Sequence, residues 1–289
     1  MKVWHNEPMA KHTTFKVGGP CDLLMQPETE QELVEAIQQC KATGEPYFVI
    51  GNGSNLLVKD AGIRGTVIVI SNLYSAVEPV PEQPYMLRAQ AGVLLSKLAK
   101  TAYQMQLSGL EFASGIPGTL GGGIYMNAGA YGGELSQVIV QTRYYDQERG
   151  QVKTLTGEEH EFSYRHSVFQ TNKNIILEST LQLKPGNADE IKAMMDDFSM
   201  RRKSKQPLEY PSAGSTFKRP EGYFAGKLIE DAGLRGFAIG GAQVSEKHCG
   251  FVINRGDATA DDILRVIAHV KEEVLRQFGV ELEEEVQIL

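Results

Sequence analysis

The chain has 289 residues, of which 42% are hydrophobic and 22% charged, and this composition excludes long disordered spans. The formal net charge of −7 argues against a general nucleic-acid binder. Apolar runs are short, such as Val67–Ile70, whereas a membrane helix needs about 20 apolar residues. The first residues lack the apolar core of a signal peptide. We therefore expect a cytoplasmic protein with no membrane or nucleic-acid partner.

The cysteines and histidines do not indicate a metal site. Cys21, Cys40 and Cys249 are far apart in the sequence and form no C-x-x-C pair. The six histidines are scattered, and no H-E-x-x-H motif occurs among them. The pattern predicts three reduced, packed thiols and no metal ligand.

The first half of the chain predicts alternating helices and strands. Thr29 and Glu32 have the spacing of a capping box before a helix that we expect to end at Gly44. Tyr47–Ile50 and Val67–Ile70 are predicted to be buried strands. Further on, the pattern predicts a helix at Leu94–Met105 and strands at Val138–Tyr145, Gln151–Leu155 and Asn174–Leu183. This layout is α+β rather than a regular βαβ alternation.

The sequence Pro185-Gly186-Asn187 interrupts this pattern. We place a domain boundary there, so that residues 1–184 and 185–289 form two domains. A helix is predicted to follow, with the apolar face Ile191, Met194, Met195 and Phe198. Methionines at that spacing are expected in the core.

The last hundred residues predict two helices and a final strand. Tyr223–Asp231 is predicted to be a short helix that Gly233 ends. Thr259 and Asp262 are predicted to cap a long amphipathic helix. Glu281–Leu289 alternates like a strand, with Leu282, Val286 and Ile288 on one face and Glu283, Glu285 and Gln287 on the other.

Two glycine-dense segments predict a site for a phosphorylated ligand. Nine of the 30 glycines lie between Gly109 and Gly133, where missing Cβ atoms let a ligand approach the backbone N–H groups. Gly51–Asn55 directly follows a predicted strand, a common ligand-binding position. Neither segment matches the Rossmann or P-loop fingerprint. Tight turns alone are the alternative, but two dense loops in one predicted domain favour a ligand with a long phosphate-bearing tail.

A basic cluster occurs within 27 positions of this acidic chain. Its members are Arg201, Arg202, Lys203, Lys205, Lys218, Arg219 and Lys227. Lys203 and Lys205 are predicted to belong to a solvated helix end and turn. The others leave a basic pocket possible in an otherwise acidic protein.

Several independent segments, in chain order over essentially the whole sequence, resemble the UDP-N-acetylenolpyruvoylglucosamine reductases. The matching segments are Gly51–Val58, Gly109–Gly122, Met126–Gly133, Tyr164–Phe169, Ala213–Lys218, Ile239–Ser245 and Leu282–Val286. The short stretch between Arg165 and Ser215 is similar to the shorter, type II class of this family.

The resemblance implies the fold, the cofactor and the reaction. It implies a two-part FAD-binding domain of the vanillyl-alcohol-oxidase (PCMH) type and a C-terminal α+β substrate domain. It implies non-covalent FAD, NADPH as co-substrate and reduction of UDP-N-acetylglucosamine enolpyruvate to UDP-N-acetylmuramate for peptidoglycan. No obligate protein partner is indicated.

The resemblance also implies the residues that bind the cofactor. They are Gly51, Asn52, Gly53, Ser54, Asn55, Leu56, Ser114, Gly115, Ile116, Pro117, Gly118, Gly121 and Gly122.

Three catalytic positions follow from the same resemblance. Arg165 would bind the substrate carboxylate and stabilise enolate-like charge. Ser215 would donate a proton to the substrate carbon, and Glu285 would assist Arg165. Without the resemblance, these would be a surface arginine, a turn serine and one of three solvated glutamates. Substrate contacts are expected from Tyr164, Lys218, Lys227, His248 and Asn254.

Two other functions remain open at this point. One is an FAD-dependent oxidase that uses the same N-terminal fold on another substrate. Such an oxidase would not need the proton donor Ser215. The other is a non-catalytic flavin- or nucleotide-binding module, against which the three catalytic-type residues argue.

Overall fold

A computed structural model describes all 289 residues and has the mixed helix and strand content that the sequence predicts. The chain divides into two compact units, each made of separate segments. Unit 1 comprises Met1–Val3, Met25–Asn52 and Val67–Arg202, and unit 2 comprises Trp4–Leu24, Gly53–Thr66 and Lys203–Leu289. The predicted division at residue 184 concerns functional domains and stays a prediction.

Seven helices and eighteen strands make up the fold. The helices are α1 (Glu30–Thr43), α2 (Leu95–Gln104), α3 (Leu120–Tyr125), α4 (Val168–Asn172), α5 (Ala188–Lys205), α6 (Ala225–Asp231) and α7 (Ala260–Phe278). The strands are β1 (Lys2–Pro8), β2 (Pro20–Gln26), β3 (Tyr47–Ile50), β4 (Leu56–Leu57), β5 (Ile63–Val69), β6 (Val77–Pro79), β7 (Met86–Gln90), β8 (Leu107–Ser108), β9 (Gly129–Ala130), β10 (Gly133–Glu134), β11 (Ile139–Asp146), β12 (Gln151–Thr156), β13 (Ile175–Gln182), β14 (Lys184–Pro185), β15 (Ala238–Ile239), β16 (Ala242–Val244), β17 (Val252–Asn254) and β18 (Gln287–Ile288).

Unit 1 is organised on a five-stranded antiparallel sheet with the strand order β12-β11-β13-β7-β6. Its strands β11, β12 and β13 confirm the three strands predicted after the glycine-rich stretch, within a residue or so at each end. The buried hydroxyls of Thr142 and Ser179 lie 2.8 Å apart across β11 and β13.

The predicted helix ends are mostly confirmed because capping is a local effect. Thr29 accepts a hydrogen bond from the Glu32 N–H, and Gly44 ends α1 at a φ of 69°. The Glu32 carboxylate, however, accepts from the Glu28 N–H rather than from Thr29. In α7 both halves of the capping box are present, with Thr259 and Asp262 as predicted.

The core of unit 2 forms where α7 packs on strands β15, β16 and β17. Six apolar residues of α7 were predicted to be on its apolar face, and this prediction is wrong for Phe278, which is 39% exposed, but confirmed for the five central positions, which are almost fully buried. These positions are Ile263, Val266, Ile267, Val270 and Val274.

Two further predictions about side-chain environment are wrong. On α5 only Ile191 is buried, whereas Met194 is 47% exposed, so this face does not form a core. Ile288 is 37% exposed instead of sharing the buried side of Leu282 and Val286. The reason is that the C-terminal segment changes its pairing partner between these residues.

All three cysteines are buried and none is in a disulfide, as predicted. None of the seven helices combines the length and apolar character needed to cross a membrane.

Candidate functional site

The two predicted cofactor segments meet within unit 1. The Asn52 side chain donates to the Pro117 carbonyl at 2.6 Å, so the segment that follows β3 is connected to the Ser114–Gly118 loop. A Cβ at Gly51 would lie 2.3 Å from the Thr119 hydroxyl. Only glycine allows this approach.

The glycines between Ser114 and Gly122 have different tasks. Gly121 packs against Ala91, the residue that follows β7. The Gly121 N–H donates to the Ala91 carbonyl at 2.8 Å, and a Cβ at Gly121 would lie 3.0 Å from the Cβ of Ala91. Gly115 and Gly122 instead are exposed. They present backbone without a Cβ, which fits a phosphorylated ligand laid along the loop. Composition alone could not separate packing glycines from ligand-facing ones.

In unit 2, Gly53 is required by the fold itself. Its φ is 61°, and a Cβ there would lie 1.9 Å from the His12 carbonyl oxygen. Two residues later, the Asn55 side chain donates to the Glu285 carbonyl at 2.9 Å. A residue predicted to bind cofactor therefore holds the segment that carries a predicted catalytic residue.

Arg165 lies at the tip of a tight turn in unit 1. Ser163 and His166 exchange two backbone hydrogen bonds of 3.2 Å, which leaves Tyr164 and Arg165 as the two central residues. Arg165 has a φ of 55° at a turn position that normally favours glycine or asparagine. Its guanidinium donates to the Gly129 carbonyl at 3.2 Å. An arginine at this φ carries local strain, which is characteristic of functional sites.

Asn127 braces this turn and was missed by the sequence analysis as a functional residue. It is fully buried, donates from its amide to the Ser163 carbonyl at 3.1 Å and accepts from the Ser136 N–H at 3.0 Å. Its φ of 43° is tolerated because asparagine adopts left-handed backbone more readily than most residues. Its place in the Met126–Gly133 match was the available signal.

Ser215 and Glu285 are brought together in unit 2 through Thr216. The Thr216 carbonyl accepts from the N–H groups of Glu285 at 2.8 Å and Val286 at 3.4 Å. The buried Thr216 hydroxyl accepts from the Val252 N–H at 3.0 Å. Ser215 itself is exposed and follows Gly214, whose φ is 76°. The structure thus gives Ser215 a fixed backbone and a hydroxyl open to a ligand.

The predicted lysine ligands are held by carboxylates. Lys218 contacts Glu283, and its backbone N–H donates to the Glu283 carbonyl at 2.9 Å. Lys227 lies on α6 and pairs with Asp231 at 2.5 Å, a hydrogen bond that raises the pKa of this lysine. Tyr164 is 52% exposed, and the Arg165 guanidinium lies 5.0 Å from its ring centre.

His248 and Asn254 are mostly enclosed. The Nδ1 atom of His248 accepts from the Gly250 N–H at 3.1 Å, and burial lowers the pKa of this imidazole. Asn254 donates to the Phe15 carbonyl at 3.0 Å and accepts from the N–H groups of Gly256 and Ala258. Both polar ends of the Asn254 side chain therefore serve the fold.

Comparison with known families defines the class of protein. A model described as an FAD binding domain matches residues 21–156, which include both glycine-rich segments. A model described as the C-terminal domain of UDP-N-acetylenolpyruvoylglucosamine reductase matches residues 206–289. The protein is an FAD-dependent oxidoreductase with a separate C-terminal domain, and the predicted fold class is confirmed.

Individual relatives extend the match over the full chain. UDP-N-acetylenolpyruvoylglucosamine reductase of Clostridioides difficile (strain 630) is 53% identical over 284 residues, covering 98% of this chain and 92% of the relative. The reductase of Caldanaerobacter subterraneus subsp. tengcongensis is 49% identical over 288 residues, covering 100% and 94%. The crystal structure of the reductase from Thermus caldophilus superposes with a TM-score of 0.83 at 34% identity, covering 99% and 98%. The chain belongs to the UDP-N-acetylenolpyruvoylglucosamine reductase family.

Proposed function

We propose that this protein reduces UDP-N-acetylglucosamine enolpyruvate to UDP-N-acetylmuramate, with NADPH as the reductant, in a cytoplasmic step of peptidoglycan synthesis. The observation that carries the proposal is the Thr216 carbonyl, which accepts from the Glu285 N–H at 2.8 Å and so keeps two of the three predicted catalytic residues, Ser215 and Glu285, close together. Full-length similarity to reductases of that name supports it. We further propose that residues 1–184 bind FAD and residues 185–289 bind substrate.

The cofactor site is proposed to be formed by Gly51–Leu56 and Ser114–Gly118, together with Gly121 and Gly122. Gly115 and Gly122 present exposed backbone to a non-covalent FAD, while Asn52 keeps the two unit 1 segments together. The hydride that reaches the methylene carbon of the substrate is supplied by bound FAD, which NADPH reduces.

Arg165 is proposed to bind the substrate carboxylate. Once the methylene carbon has gained a hydride, negative charge develops on the adjacent carbon and is shared with this carboxylate. A guanidinium offers a fixed fork of donors for it. The strained turn and the bond to Gly129 support this role, because they orient the side chain before substrate arrives.

Ser215 is proposed to complete the reaction. Its hydroxyl proton moves to the carbon that carries the negative charge, forming the new C–H bond, and the serine oxygen is then reprotonated from solvent. Its exposure supports this exchange. Glu285 is proposed to assist in polarising the carboxylate.

The anionic UDP group is proposed to contact Tyr164, Lys218, Lys227 and His248. Lys218 and Lys227 would exchange their carboxylate partners for phosphate oxygens. For Asn254 we propose a structural role, since its polar atoms bind the backbone around β17.

The deciding experiment is substrate-dependent NADPH oxidation by the purified holoenzyme. We expect a yellow protein that releases FAD on denaturation and oxidises NADPH only when UDP-N-acetylglucosamine enolpyruvate is added. A colourless protein that cannot be reconstituted with FAD would refute the cofactor. Turnover of alcohols in place of the enolpyruvyl ether would instead favour the oxidase.

A further inference from the structure

Arg202, in the last turn of α5, is a half-buried cation without a counter-ion. It makes no ion pair, whereas its exposed neighbour Arg201 pairs with Asp197 at 2.8 Å. Burial lowers the pKa of the Arg202 guanidinium, and only the Tyr131 phenol opposes this effect. A charge removed from water is costly unless another charge or several hydrogen bonds compensate it. The position therefore calls for an anion that the chain itself does not supply.

The guanidinium of Arg202 lies against the Ser114–Gly118 loop. A Cβ at Gly115 would lie 3.2 Å from Cδ and 3.4 Å from NH1 of Arg202, so the arginine packs directly against the Gly115 backbone. One turn earlier on α5, Phe198 stacks on Tyr131, with ring centres 4.6 Å apart. This contact holds the C-terminal end of α5 against the Gly129–Gly133 hairpin. Arg202 is thus placed at a loop assigned above to the cofactor, whereas the sequence indicated only that it belongs to a basic cluster.

We propose that Arg202 binds an anionic part of FAD on the exposed face of Gly115. The proposal rests on the cofactor site proposed above. FAD carries two anionic parts that fit, the diphosphate and the pyrimidine end of the reduced ring, and their shared chemistry is an oxyanion that accepts two N–H bonds from a guanidinium. Either would supply the counter-charge that Arg202 lacks.

The test is FAD affinity, measured by flavin fluorescence during titration of the protein after its FAD has been removed. Arg202→Met keeps the length of the side chain and removes the charge, and Arg201→Met is the matched control. We expect Arg202→Met to raise the Kd for FAD at least about tenfold, which corresponds to about 1.4 kcal/mol. Arg201→Met should stay within about twofold of wild type. Equal Kd values for wild type and Arg202→Met would overturn the proposal.

A second variant guards against a folding defect. Gly115→Ala places a methyl group where Arg202 lies and should weaken FAD binding by displacing the guanidinium. In the Arg202→Met background the same change should raise the Kd by a smaller factor than in wild type, because the guanidinium is already gone and only the direct effect of the methyl group on FAD remains. Fully additive effects of the two changes on Kd would overturn the link between them. The melting temperature without FAD should be equal or higher in Arg202→Met, since an uncompensated charge is removed.

Riboflavin, which has no phosphate, separates the two anionic parts. If the diphosphate is the partner, Arg202→Met leaves riboflavin affinity and the flavin midpoint potential unchanged. If the reduced ring is the partner, riboflavin affinity in the reduced state weakens and the potential falls. Both results support the proposal and identify the group. Failure of the wild-type protein to bind FAD would refute the proposed cofactor site rather than the role of Arg202.

Discussion

The backbone N–H of Glu285 donates to the carbonyl of Thr216 at 2.8 Å, so a residue near the C-terminus is anchored beside Ser215. The hydroxyl of Thr216 binds the Val252 N–H at the same time. One buried threonine therefore joins three segments of unit 2. The relative position of Ser215 and Glu285 is a property of this junction rather than of either side chain.

Thr216→Val should destabilise the protein and lower turnover. The change keeps the shape of the side chain but leaves the buried Val252 N–H without an acceptor, at a cost of about 1–3 kcal/mol in unfolding free energy. Thr216→Ser retains the hydroxyl and is the control. Urea denaturation would measure the difference, and a valine variant as stable as the serine variant would contradict the assigned bond.

Ser215→Ala should separate the two half-reactions. Reduction of the flavin by NADPH should proceed at the wild-type rate, because no proton from Ser215 is used in that step. Net turnover should fall on the order of 10²–10⁴-fold, the usual contribution of a general acid. Stopped-flow absorbance would follow each step, and equal losses in both would remove Ser215 from the donor role.

Arg165→Gly and Arg165→Ala should differ in stability although both lose activity. The φ of 55° is strained for any residue with a Cβ, so glycine should be about 1 kcal/mol more stable than alanine here. In ordinary backbone the order is reversed. Chemical denaturation of the pair tests the turn, and kcat/KM tests the side chain. An alanine variant more stable than the glycine variant would refute the turn geometry.

Stability should decrease on acidification below about pH 6.5, partly because of His248 and His160. Burial lowers the pKa of both imidazoles in the folded protein, so the unfolded chain binds protons first as the pH falls through its ordinary pKa of about 6.5. The destabilisation from each histidine is absent at high pH, and it grows as the pH falls until the pKa of the folded protein is reached. Urea denaturation at several pH values should show that the free energy of unfolding depends less steeply on pH in His248→Gln and in His160→Gln than in wild type. If both variants kept the wild-type slope of unfolding free energy against pH, the lowered pKa values of His248 and His160 would be contradicted.

The sequence alone determined the features that depend on neighbouring residues. The Thr259 and Asp262 cap, the Gly44 stop and the buried face of α7 follow from short-range hydrogen bonding and helical periodicity. The glycine-rich segments indicated a phosphorylated ligand, and their order with the other motifs indicated the family. All of this is information that a single chain carries locally.

Tertiary structure decided what depends on residues distant in sequence. Met194 has helical core spacing but is 47% exposed, although Ile191 on the same face is buried and Phe198 stacks on Tyr131. Ile288 follows the strand alternation but is exposed, because the segment first bonds to Thr216 and then pairs with β4. Lys218 and Arg202 belong to one basic cluster, yet only Lys218 meets a carboxylate. Whether a charge is compensated depends on which distant groups the fold brings near it, and this is why Arg202 could be recognised only in the folded chain.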